Sequence, residues 1–244
     1  MTKQEEGIYF EIEKARTAGA NLLMPSTRIE GLSEFHSPVL EMVKISANPD
    51  DGDVYDHDNV DASSPKKKYR LTKQAIMKLT VCAGVIWSPS ESKRVDNRSD
   101  RNYICYQAVG GIKKADGTPV FFKAESDLDF ELVDQELREL YEGKAKWLKK
   151  GEKPNERPAT AQEKAEYIEY CVKRDLLQKR KFGLRLCEAS AMNRVARELL
   201  GLKQAYTKTE LAQPFVMVRI VFKPDYNDKQ VKAAILDAHI AVHA

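Results

Sequence analysis

Three kinds of residue in this chain have types and spacings that chemistry can use. Asp116, Lys123, Glu125, Asp127 and Asp129 are the nearest thing to a metal-dependent nuclease site, which needs clustered carboxylates and a lysine on a strand. Lys123 and Glu125, two apart, share one face if the segment is extended, although a charged outer face on a half-exposed hairpin has the same pattern. The second group is cationic. From Cys171 to Arg197 eight Lys/Arg oppose only Asp175 and Glu188, a net of +6. A helix C-terminus favours cations, but that explains about two or three of them. A surface that follows phosphates explains the rest, and its binding would fall steeply with salt. The third group is the histidines and cysteines. His239 and His243 are four apart with no carboxylate to complete a metal site, and Cys82, Cys105, Cys171 and Cys187 form no CxxC pair.

Other chemistries lack their signatures. No GxxxxGK[ST], GxSxG or HExxH occurs, and "VGG" at 109–111 reads as a hairpin feature with no helix after it. The acidic stretch 47–68 lacks the register and closing glutamate of a calcium loop. Neither a metal nor a cofactor is expected, and the reading is of binding without catalysis.

The elements that hold these residues can be read from periodicity. Residues 39–46 alternate as a strand and 69–71 close a second; the first forty otherwise read as irregular. Thr72 is a good N-cap for a helix that Gly84 would stop. Residues 102–131 form the clearest strand pair, around Ala115-Asp116-Gly117. Residues 132–150 are helical, 149–160 a polar linker, and Thr160 with Glu163 forms a capping box opening a helix to about 202. A second box at 207–210, a buried strand at 215–222 and a last helix near 228–242 complete the chain. Three regions follow: an acidic segment 1–68 with the first strands, an α+β core 69–225 with a small antiparallel sheet packed on helices, and a C-terminal helix 226–244.

On the long helix, Ile168, Cys171, Val172, Leu176, Phe182 and Leu186 point one way, with Arg174, Lys181 and Arg185 opposite. After Cys187 the pattern rotates, and Met192, Val195, Ala196 and Leu199 take the side that was basic. A straight helix on one partner cannot satisfy both halves. It should break or bend near 183–189, or exchange one packing partner for another.

The overall charge of +3 conceals polarity, since residues 1–64 carry −8 and residues 65–244 carry +11. That balance suits a body binding a polyanion, with an acidic N-terminal portion. A hydrophobic share of 42% with no long apolar run gives no membrane span, and the acidic N-terminus is unlike a signal peptide. A cytoplasmic protein is expected.

The order of elements, with "LTKQAIMKLTVCAGVIW" (71–87) followed by a hairpin at "DG", resembles phage single-strand annealing proteins, the class containing RecT, Redβ and ERF. "CEASAMNRVARELLGL" (187–202) is similar to a helix recurring in that class, with Glu188, Ala191, Arg194, Arg197 and Gly201 at matching places. The resemblance spans about 71–125 and 171–222; the acidic 47–64 stretch and the 149–160 linker depart from it. It implies homo-oligomeric rings or filaments that bind single-stranded DNA in a basic groove and anneal it to a duplex without ATP, in the cytoplasm of a phage's bacterial host. Lys173, Arg174, Arg180, Lys181, Arg185, Arg194 and Arg197 would then contact the backbone. Arg101, Tyr103, Lys113 and Lys114 would form the opposite wall, with Tyr103, and less so Tyr106, stacking on bases. The C-terminal helix would meet a neighbouring subunit or a host or phage replication protein. A protein inhibitor of a host system, working through a basic face, is the remaining alternative.

Overall fold

The computed structural model describes residues 3–23, 36–56, 64, 67–97, 102–114, 118–145, 160–223, 229 and 231–233. The fold is α+β, with small, mainly antiparallel sheets and one long helix. It forms two compact units. Unit 1 holds 1–88, 109–122 and 193–244; unit 2 holds 89–108 and 123–192.

Unit 1 is built around β10 (Phe215–Phe222), which pairs antiparallel with β2 (His36–Val43) and, at its start, parallel with β1 (Asn21–Leu22). Phe215, Val216 and Met217 are almost fully buried. The described strands of the first 68 residues, β1 and β2 among them, belong to this unit. Helix α1 (Lys3–Thr17) occupies a stretch expected to be irregular. Gly7 inside it and the lack of an apolar stripe beyond Ile8, Tyr9, Phe10 and Ile12 concealed it, and its support comes from packing against β2. A second sheet joins β3 (Val54–Asp56), β4 (Lys68–Leu71) and β9 (Tyr206–Thr207).

Helix α2 (Lys73–Ala83) keeps both expected ends. The Thr72 hydroxyl accepts from Ala75 N–H at 3.3 Å and donates to Gly52 O at 2.7 Å; Gly84 closes the helix at φ 69°, a left-handed conformation. Ile76 and Leu79 are its buried face. Thr72→Ala removes a capping acceptor and an anchor to the preceding turn. It should cost about 1 kcal/mol, read as a lower urea midpoint at unchanged slope. An unchanged midpoint would mean the cap contributes nothing.

In unit 2, the first half of β7 (Tyr103–Lys113) pairs with β6 (Lys93–Arg94) and with β8 (Pro119–Asp129). The hairpin strands are as expected; their 115–117 connection lies outside the described residues. Helix α3 (Phe130–Ala145) packs Val133, Leu137 and Tyr141 onto Cys171 and Val172 of α4 (Ala161–Leu200). Beneath the hairpin, Arg94 Nε donates to both carboxylate oxygens of Asp96 at 2.8 Å, and Asp96 Oδ1 also accepts Cys105 N–H at 2.9 Å. The Asp96 side chain is fully buried, and the guanidinium beside it holds its carboxyl down at about 2.

Helix α4 begins with the expected capping box: Thr160 N–H donates to Glu163 Oε2 at 2.7 Å and Glu163 N–H to Thr160 Oγ1 at 3.2 Å. It then runs to Leu200 without a break. The conflict is resolved by exchanging partners. In unit 2, Gly183 faces Ile104, Leu128 and Phe130; in unit 1, Val195 faces Gly110. The capping box of α5 (Lys208–Leu211) is also as expected. Of the last helix, residues 229 and 231–233 are helical with Val231 buried; the rest lies outside the described residues.

Candidate nucleic-acid interface

The buried line on α4 is Gly183, Cys187, Ala191, Val195 and Leu199. Each four-residue step advances about 40° around a helix, so the line winds steadily instead of switching sides. Three small residues open it, which lets the backbone approach the hairpin: a Cβ on Gly183 would lie 3.0 Å from Ile104 Cδ1. This displaces two residues from the expected inward face. Phe182 and Leu186 are 36% and 42% exposed, because each sits one residue, or about 100°, from the buried line. Val195, Ala196 and Leu199 are covered as expected.

Winding leaves a broad outer face on residues 170–185 of unit 2. Tyr170, Leu177 and Leu184 recur every seven residues and are 65%, 66% and 41% exposed. They form a stripe, with Lys173 and Arg180 along one flank and Arg174, Lys181 and Arg185 along the other, all exposed. The cations extend for about 18 Å of helix. Sequence reading found the cations and missed the stripe. The seven-residue spacing inside a basic stretch was the available signal, but apolar residues there were sought only on an inward face.

The cations differ in their freedom. Arg174 Nε donates to Asp175 Oδ1 at 2.8 Å and its Nη2 to Tyr141 Oη at 3.3 Å, so it braces α3 to α4. The carboxylate beside it holds its guanidinium above the ordinary arginine range. Arg180 Nη2 donates to Asn102 Oδ1 at 3.1 Å and lies 5.4 Å from the Phe130 ring. Lys181 and Arg185 flank the Phe182 ring at 5.2 and 5.1 Å, which steadies both while leaving their charges in solvent. Tyr103, also in unit 2, is half-buried; its hydroxyl donates to Asp127 Oδ2 at 3.4 Å, and burial first, then Asp127, pushes it up to about 12. Tyr106 is half-buried too.

Other expected contacts lie in unit 1. Lys113 and Lys114 are exposed at the end of β7, and Lys114 N–H closes the hairpin on Thr118 O at 2.8 Å. Arg194 is exposed, whereas Arg197 is half-buried and donates to Lys203 O at 2.8 Å, satisfying a carbonyl beyond the helix end. Arg101 and Asp116 lie outside the described residues. The remaining carboxylates of the nuclease alternative have protein partners. Glu125 pairs with Lys123 at 3.0 Å, Asp127 accepts from Tyr103, and Asp129 caps α3 by accepting Glu131 N–H at 2.9 Å. Among the described residues no three His, Cys, Asp or Glu gather as a metal-holding group. None of the described helices is long and apolar enough to cross a membrane.

The chain matches no protein-family model, no curated protein and no solved structure.

Proposed function

We propose that this protein binds single-stranded DNA along the outer face of α4 and anneals it to a complementary strand without ATP or another cofactor, as a homo-oligomer in the cytoplasm. One observation carries the reading: Lys173, Arg180, Lys181 and Arg185 are exposed beside a stripe of exposed Tyr170, Leu177 and Leu184. Cations at this spacing neutralise phosphates irrespective of sequence, and apolar side chains between them receive the faces of unpaired bases. A solvated helix surface accounts for the charge, but not for three large apolar residues left uncovered along it. The polarity between the −8 and +11 parts of the sequence supports a polyanion partner as well.

The test is fluorescence anisotropy with a labelled oligonucleotide at two salt concentrations, joined to an annealing assay with and without magnesium. Binding should weaken steeply with salt and annealing should need no nucleotide. Absence of binding at low salt defeats the proposal, and metal-dependent cutting replaces it with the nuclease. Light scattering should show assembly beyond the monomer on DNA.

A further inference from the structure

Both helices of unit 2 present an outer face, and the two faces are opposite in charge. Val133, Leu137 and Tyr141 turn α3 inward onto Cys171 and Val172 of α4. Away from that core, Leu132 and Leu140 of α3 are 54% and 47% exposed. Glu136 stands midway between them with Glu139 beside it; both are exposed and in no ion pair among the described residues. Gly143 continues the face. A Cβ there would meet nothing within 4 Å, so α3 can be approached closely at that point.

This face offers negative charge and apolar surface together, as a nucleic-acid strand does. It is therefore complementary to the cations and the apolar stripe of α4. The spacings agree as well: Leu132 and Leu140 are about 12 Å apart along α3, and Leu177 and Leu184 about 10.5 Å apart along α4. Set leucine against leucine, in either direction, the pairing brings Glu136 opposite Arg180 and Lys181, with Glu139 within a turn of them. The two faces cannot meet within one molecule, because each lies on the side of its helix away from their shared core. Between copies they can. A contact between two different surfaces repeats head to tail, and gives a ring or a chain.

We propose that in the absence of DNA α3 of one copy occupies the α4 face of the next, with its leucines on the apolar stripe and Glu136 and Glu139 beside Arg180 and Lys181. The pairing uses unit 2 alone and stands without the DNA reading. Its consequence, that a strand must displace the neighbour in order to bind, rests on that reading. A single pair of helix faces is a small interface, so the association is weak and sensitive to salt.

The test is sedimentation velocity of the full chain without DNA, over a range of concentrations at low and high salt. The wild-type chain should form assemblies at low salt that dissociate at high salt. Glu136→Lys with Glu139→Lys should weaken association about tenfold or more, and so should Lys181→Glu with Arg185→Glu. An equimolar mixture of the two variants should regain it, since each offers the other a complementary face. Leu132→Ala in that mixture should weaken it about fivefold; a mixture indifferent to the leucine is drawn together by net charge alone and overturns the pairing. Unchanged unfolding midpoints report that each variant is folded. A wild-type chain that stays monomeric throughout, or a lysine variant that associates like the wild type, also overturns it. A labelled oligonucleotide of about eight nucleotides, enough for one site, is then added. It should dissolve the wild-type assembly as it binds, and binding that leaves the assembly whole overturns the displacement. If no oligonucleotide binds, the DNA reading fails, and sedimentation still decides the pairing.

Discussion

Arg94→Ala should lower the unfolding free energy by about 3 kcal/mol at pH 7. Asp96 is fully buried at its side chain while Arg94 is 24% exposed, so truncation leaves a buried carboxylate held only by backbone donors, Cys105 N–H and its own N–H, among those described. The range for breaking a buried pair is about 3–5 kcal/mol, and the partial access of water to Arg94 places this one at the lower end. The dependence on pH supplies a second readout. Asp96 titrates near 2 in the folded protein, below its ordinary value of 3.8, so its contribution is complete above about pH 4 and is lost as pH falls towards 2. That contribution is on the order of 2 kcal/mol. Without Arg94, burial favours the neutral acid, and protonation relieves the defect. The gap between native and variant urea midpoints should therefore narrow from pH 7 to pH 3. A gap that stays constant or widens would show that the loss comes from packing and not from the stranded charge.

Lys181→Glu combined with Arg185→Glu should weaken single-stranded DNA binding roughly thirtyfold at low salt and reduce the salt slope by about 1.4, the loss of two phosphate contacts. Both residues are exposed and, among the described contacts, rest against Phe182, so the fold should lose no more than about 0.5 kcal/mol. Normal affinity in a folded double variant would remove α4 as the DNA surface. Tyr170→Ala or Leu177→Ala should act differently, lowering affinity by a similar factor at low and high salt, because base stacking is not a counterion effect.

The parts of this fold that follow from local rules were legible before the structure. Thr72 and Gly84 mark the ends of α2 because caps depend on nearest neighbours alone, and the same holds for the boxes at 160–163 and 207–210. Helix α1 was not legible, since its stability is borrowed from β2. The long helix shows the limit most clearly. Conflict between its halves could be read from the wheel, but its resolution could not, because Gly183, Cys187 and Ala191 carry little hydrophobic signal although they are among the most buried positions. The cations of the candidate surface were found from charge. Which of them are already committed was not legible: Arg174 is held by Tyr141 and Arg197 by the Lys203 carbonyl, partners 33 and six residues away.

The distribution of the thiols gives the molecule a practical handle. Cys105, Cys171 and Cys187 are buried, and Cys187 is pushed up to about 11 by burial, so it stays protonated and unreactive at neutral pH. Cys82 alone is partly accessible. A maleimide dye added in slight excess should thus attach at one position in the native protein and at four after unfolding. Cys82 lies in the last turn of α2, just before the Gly84 cap, so the wild-type chain already carries a single attachment point for an optical reporter in unit 1.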